Sequence, residues 1–210
     1  GFAEVIKYGI IQDRPLFDLL STHVDALSAF DSERHTDLWI QIITASCQNK
    51  ISVVQQDEKE AGLRAILNFG HTIGHGLESL FDYHTYKHGE CIIFGMVAAT
   101  WIAVSKDLLS EKQAQEIYHL ISAYQYASLK LDPVSLDDLM PIMYRDKKVK
   151  QKVLHFVLPT DIGQVQIVDS VTYSDGFQGN DDNWPQGADA EGSSLELINP
   201  NYDNSVPERK

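Results

Sequence analysis

Fourteen consecutive residues, Cys91–Val104 (CIIFGMVAATWIAV), carry no charge. A helix that is apolar on every side must be buried on every side. The run falls short of the roughly 18 apolar residues that suggest a membrane span. It therefore predicts a central helix wrapped by others, and so a mainly α fold. Gly95 inside the run predicts a close approach by a neighbouring helix, since only glycine leaves the backbone uncovered.

The segments on either side supply the wrapping. Glu4–Ile11 reads as a helix, with Val5, Ile6, Tyr8, Ile10 and Ile11 making it mostly buried. Its two charges, Glu4 and Lys7, stand one turn apart. On an exposed helix they would be an ordinary surface ion pair, but in a buried one each needs a partner. Asp13-Arg14-Pro15 breaks the chain, and Pro15 suits the first turn of the next helix, with Leu16, Leu19 and Leu20 as its stripe. Thr36–Val54 has Leu38, Trp39, Ile42, Ile43 and Ala45 on its expected core side and carries Lys50, which spacing alone reads as a solvated lysine. Ser110–Tyr126 turns Ala114, Ile117, Leu120 and Ile121 inward, and Ser135–Tyr144 turns Leu136, Leu139 and Met140 inward. Val153–Leu158 and Gln164–Val171, joined by a turn at Asp161–Gly163, read as a two-stranded hairpin.

The chain of 210 residues is long enough for one domain with a sizeable core. Its net charge of −13 argues against nucleic acid as the partner. An anionic small molecule is not excluded, because cations gathered in a cleft dominate locally. Two cysteines, Cys47 and Cys91, give no disulfide framework and fit a reducing compartment. There is no internal repeat, no GxGxxG and no βαβ pattern.

The chemistry concentrates in Arg64–Glu90, which holds His71, His75, His84 and His88. His71 and His75 are four apart and share one face of a helix. Gly70 and Gly74 precede them, each costing about 1 kcal/mol in a helix interior, so something packs against the backbone there. His88 heads a His-Gly-Glu turn. Two or three imidazoles brought together in this way suit a borderline metal such as zinc. The bland alternative is one histidine at a helix cap, another in solvent, and no metal. The zincin pattern is excluded, because Thr72 stands where its glutamate would be.

Three motifs in order carry a resemblance to 3-dehydroquinate synthase: GFAEVIKYG at Gly1–Gly9, R-x-x-L-N-F-G-H-T-x-G-H at Arg64–His75 followed by HGE and Gly95-Met96, and DKKVKQKVLHFVLPTDIG at Asp146–Gly163. The resemblance covers residues 1–170 or so. It implies a multi-helical domain over 1–172 with a small C-terminal β-hairpin. It implies Glu4, His71 and His88 as ligands of Zn2+ or Co2+, with one coordination position left for substrate. Lys7, Lys50, Arg64, Asn68, His75 and Lys148 become the substrate-handling residues, with Lys147 the lesser candidate beside Lys148. The implied substrate is DAHP, a seven-carbon sugar acid phosphate, converted to 3-dehydroquinate with loss of phosphate in the shikimate pathway. NAD+ serves as the transient oxidant in the complete enzyme, which is implied to be a cytoplasmic homodimer with no nucleic-acid or membrane partner.

That family's N-terminal nucleotide-binding domain precedes the first motif, where this chain begins. The expectation is therefore the metal- and substrate-binding half of the enzyme, inactive alone. The competing readings are a pseudoenzyme or non-catalytic fragment, acting as a helical metal- or partner-binding module, and a sister sugar-phosphate cyclase. Asn68 and His75 favour dehydroquinate synthase over its sisters. Residues 173–210, rich in Gly, Asp, Asn, Ser and Pro, match nothing in the family and read as a disordered tail.

Overall fold

The computed structural model describes residues 1–29, 31–57, 62–124, 134–146 and 154–168. Lys147, Lys148 and the 173–210 segment lie outside the described residues. Among those described, the α-helices are α1 (Phe2–Ile11), α2 (Arg14–Thr22), α3 (Val24–Ser28), α4 (Thr36–Gln56), α5 (His71–Leu80), α6 (His88–Ser105), α7 (Glu111–Ala123) and α8 (Leu136–Asp146), with one 3-10 segment at Leu63–Asn68. The strands β1 (Phe156–Asp161) and β2 (Gln164–Val168) pair antiparallel, with Phe156 opposite Val168 and an irregularity between Pro159 and Asp161. The mainly α domain with a terminal hairpin is what the sequence implies.

Helix α6 is the core. Every residue from 91 to 100 is buried, and α5, α1, α7 and β1 all pack on it. By length and composition the helix could cross a membrane; its enclosure within the domain accounts for its apolarity instead. The close approach expected at Gly95 is its contact with α5. A Cβ at Gly95 would fall on the Gly70 carbonyl oxygen and lie 2.9 Å from Gly74 N. Gly70 has φ of 76°, a left-handed conformation that glycine adopts without cost, and it opens α5. The two glycines beside the histidines thus serve the α5–α6 contact.

The other elements hold α1 against this pair. Asp13 caps α2 by accepting from Leu16 N at 2.9 Å and also takes Asn49 Nδ2 of α4. Gly163 N, in the hairpin turn, donates to Ile10 O at 2.9 Å. Thr72 Oγ1 donates to His155 O at 2.9 Å, tying α5 to the chain entering β1. Ser110 and Gln113 form a capping box at the start of α7.

Three expectations need correction. Gly70 does not lie in a helix interior, because the chain forms a 3-10 segment, breaks at Phe69-Gly70 and restarts as α5 at His71. The His-Gly-Glu motif is the first turn of α6 rather than a separate turn, since Glu90 Oε2 accepts from Lys87 N at 2.8 Å and so starts the helix at His88. Ile43 is 57% exposed. It shares the solvent side of α4 with Ile40 and Ile51, while Ile42 takes the core.

Candidate metal and substrate site

The site forms where α1, the start of α5 and the start of α6 meet. Glu4 and Lys7 come from α1, His71, His75 and Glu78 from one face of α5 at spacings of four and three, and His88 from the first position of α6. The His71 and His75 ring centroids are 5.2 Å apart, and His71 and His88 are 5.6 Å apart.

Lys7 is almost fully buried and donates to Glu4 Oε2 at 2.6 Å and to Leu67 O at 2.8 Å. Burial pushes its pKa down, the Glu4 carboxylate pulls it up, and the Lys50 charge lowers it further, with a net lowering. Burial pushes the Glu4 carboxyl up, but the Lys7 ammonium and then the His71 and His88 imidazoles bring it below its ordinary value. Glu4 is therefore ionised, with one oxygen on Lys7. Its other oxygen, Oε1, is buried without a hydrogen-bond partner.

His71 faces that oxygen. Its Nδ1 lies 3.0 Å from Phe69 O, to which only an N–H can donate, leaving a lone pair on Nε2. Burial, followed by the nearby Lys7 charge, lowers its pKa to about 4, so at neutral pH the ring is uncharged. Nε2 sits 3.5 Å from Glu4 Oε1. Two lone pairs thus face each other across a buried gap with no proton between them. Two ligands at about 2.0–2.1 Å from one tetrahedral ion stand roughly 3.3 Å apart. A ligand atom of His88 completes the set, all three lying within 4.8 Å of one another. The orphaned Glu4 oxygen, the neutral imidazole and the separation all fit a divalent cation of the zinc type. His84 belongs to no such cluster among the described residues.

The other expected residues divide. His75, with 42% of its side chain exposed, stands beside the three candidate ligands. Asn68 is exposed at the end of the 3-10 segment, next to the Leu67 carbonyl that receives Lys7. Arg64 is half-buried, with its backbone N–H donating to Asp57 Oδ2 at 2.9 Å. Lys50 is exposed on α4, near enough for its charge to act on Lys7. Glu78 joins the set although no motif marks it. Its signal was present: it lies seven residues after His71 and three after His75, on the same helical face.

The 3-dehydroquinate synthase C-terminal family model matches residues 1–149. The 3-dehydroquinate synthase of Microcystis aeruginosa is 48% identical over 172 residues, covering 82% of this chain and 46% of its own length. That of Rippkaea orientalis is 46% identical over 174 residues, with 82% and 46% covered. The chain thus spans about half the length of these relatives. Among solved structures, a 2-epi-5-epi-valiolone synthase from Streptomyces hygroscopicus with NAD+ and Zn2+ bound superposes with a TM-score of 0.69 at 25% identity, over 81% of this chain and 46% of that one. A 2-deoxy-scyllo-inosose synthase complexed with carbaglucose-6-phosphate, NAD+ and Co2+ shares the fold, with a TM-score of 0.61 at 22% identity over 80% and 46%.

Proposed function

The chain belongs to the 3-dehydroquinate synthase C-terminal family, and on that premise we propose that it is the metal- and substrate-binding half of a 3-dehydroquinate synthase. It would act on DAHP, releasing phosphate, as a cytoplasmic enzyme of aromatic amino acid biosynthesis. The observation that carries the reading is the buried, unpartnered Glu4 oxygen facing the neutral His71 Nε2 at 3.5 Å. The identity to dehydroquinate synthases, 46–48%, against 25% to the valiolone synthase, favours that substrate over those of the sister cyclases.

Glu4, His71 and His88 would hold the ion, which when bound supplies Lewis-acid polarisation of substrate oxygens. NAD+ supplies the transient hydride acceptor in the complete enzyme. Lys7 keeps Glu4 ionised and in place, and two of its three N–H bonds are used on Glu4 and Leu67. The third is left for an anionic group. Lys50, Arg64 and Lys148 are the further cations proposed to hold the substrate carboxylate and phosphate, Arg64 by a bidentate contact. Asn68 and His75 would hydrogen-bond the substrate hydroxyls. The free thiols Cys47 and Cys91 support a reducing compartment.

Hydride transfer needs the nicotinamide held against the carbon to be oxidised, where a small misplacement costs about 10²-fold in rate. The described residues offer only a two-stranded antiparallel sheet. We propose that a nucleotide-binding half completes the site and that the complete enzyme is a homodimer. The test is phosphate release from DAHP with NAD+ and zinc, by the chain alone and mixed with a nucleotide-binding half from a relative. Turnover only in the mixture is expected. Sustained turnover by the chain alone, abolished by changing Lys7 or His71, would overturn the half-enzyme reading. Silence in both, with zinc still bound, would favour a non-catalytic metal-binding module.

A further inference from the structure

His88 is the weakest-held of the three candidate ligands. It occupies the first position of α6 and half of its side chain, 51%, is exposed. A histidine so placed would turn freely through its rotamers and could present either ring nitrogen. What restrains it is Glu78 on α5. Glu78 Oε1 lies 2.8 Å from His88 Nδ1, and Oε2 lies 4.0 Å from His75 Nε2. Only 11% of the Glu78 side chain is exposed, so the carboxylate has little room to move away from the ring. The loop returning from α5 to α6 is tightly bent: Asp82 and Tyr83 have φ of 52° and 59°, and Tyr83 N donates to Glu78 O at 2.8 Å. A left-handed tyrosine is uncommon and persists only where its surroundings impose it. The bend returns the chain so that the start of α6 meets the side chain of Glu78.

His75, Glu78 and His88 also bring their ligand atoms within 4.8 Å of one another, so Glu78 could in principle be a ligand itself. The distances separate the two roles. Glu4 and His71 stand 3.5 Å apart, close to the roughly 3.3 Å between ligands of one tetrahedral ion. Glu78 and His88 stand 2.8 Å apart, too close for that and right for an N–H to carboxylate hydrogen bond.

We propose that Glu78 is a positioning residue: its carboxylate accepts Nδ1–H of His88, fixing the ring and leaving Nε2 as the nitrogen that binds the metal. This inference rests on the metal-site reading above. It gives His88 the same tautomer that the Phe69 carbonyl gives His71. Carboxylate-held histidines are a recurrent support for zinc, and losing the support costs about 10–100-fold in affinity.

The test uses the full 210-residue chain, with zinc affinity measured by competition against a chromophoric chelator. Glu78→Leu should bind zinc 10–100-fold more weakly. Glu78→Gln, which keeps an acceptor oxygen, should recover most of that loss, a rescue that mere core packing would not show. In the zinc-loaded unmodified chain, 15N shifts of the His88 ring should report a protonated Nδ1 and a metal-bound Nε2. An unchanged affinity in Glu78→Leu, with zinc lost in His71→Ala, would overturn the positioning role and leave the metal site standing. Equal and complete loss in the Leu and Gln variants would make Glu78 a ligand. A metal-bound Nδ1 on His88 would overturn the proposal even if Glu78→Leu failed to fold. Stoichiometric zinc retained in both His71→Ala and Glu4→Gln would remove the metal reading, and the proposal with it.

Discussion

Replacing Gly95 by alanine sets two effects of opposite sign against each other. Alanine is the better helix former by about 1 kcal/mol, so on propensity alone the variant should be more stable. The added methyl, however, would land on the Gly70 carbonyl oxygen and 2.9 Å from Gly74 N. Both obstacles are backbone, so no side-chain rotation relieves them and α5 must move off α6. Overpacking of this kind costs about 1–3 kcal/mol, and a clash with backbone belongs at the upper end. The net expectation is destabilisation by roughly 2 kcal/mol. Gly89, in the first turn of the same helix, is the control. A Cβ there meets nothing nearer than Ala3 Cβ at 3.6 Å, an ordinary contact. Gly89→Ala should therefore be neutral or stabilising by up to about 1 kcal/mol. Urea denaturation of the zinc-free chain reads both through the midpoint at constant slope. Gly95→Ala should also weaken zinc binding, because Gly70 precedes His71. A Gly95→Ala variant as stable as the parent or more so would refute the reasoning.

Other outcomes follow from the same geometry. The zinc-free chain should lose stability as pH falls from about 6.5 to about 4, because burial keeps His71 neutral when folded while the unfolded chain takes up the proton. The sign is that of a lowered histidine pKa, stability being full above the ordinary 6.5, and the full loss is roughly 3 kcal/mol. His71→Gln should flatten that slope in urea titrations at successive pH values, and an unchanged slope would contradict it. Zinc at a hundredfold excess over its dissociation constant should stabilise the parent by about 2.7 kcal/mol and His71→Ala not at all, read by thermal melts. Met96, fully buried against Gly70, should cost about 2–5 kcal/mol when cut to alanine. Ile40, Ile43 and Ile51 leave an apolar stripe on α4, so the chain should self-associate, and Ile43→Lys should reduce this in sedimentation without lowering the urea midpoint.

How much of this was legible in the sequence depended on whether the signal was local. The uncharged Cys91–Val104 run could only be a core helix, and the glycines in it and beside the histidines could only mean close packing. Both statements are local chemistry and both hold in the structure. The break at Phe69-Gly70 was harder, because the 3-10 segment before it carries the same apolar spacing as a helix and only the left-handed Gly70 divides them. Ile43 misled for a different reason. Ile42 and Ile43 are adjacent, about 100° apart around the helix, and periodicity does not say where the edge of the packed stripe falls between them. At the site, Glu4, His71 and His88 stood out through motif resemblance, whereas the pairing of Glu78 with His88 is made by the bend between α5 and α6. Helical spacing put Glu78 on the right face, but nothing in the sequence said which ring it would meet.

On the proposed reading, the charge arrangement lets a chain with a net charge of −13 hold an anion locally. Glu4 is the acidic member of the candidate ligand set, and Lys7 at 2.6 Å already neutralises it. His71 contributes a lone pair and no charge. On the proposed reading the doubly charged ion therefore arrives at a ligand set that is locally close to neutral, and its positive charge is left almost intact for the substrate. Lys50 strengthens the effect from α4, at the cost of lowering the Lys7 pKa. On that reading, replacing Lys7 by a neutral residue would tighten the grip of Glu4 on the metal while removing a positive charge from the face proposed to hold a carboxylate and a phosphate. Burying an ammonium is expensive, and in this fold the expense is offset by two acceptors, Glu4 and the Leu67 carbonyl, set in place before any ligand binds.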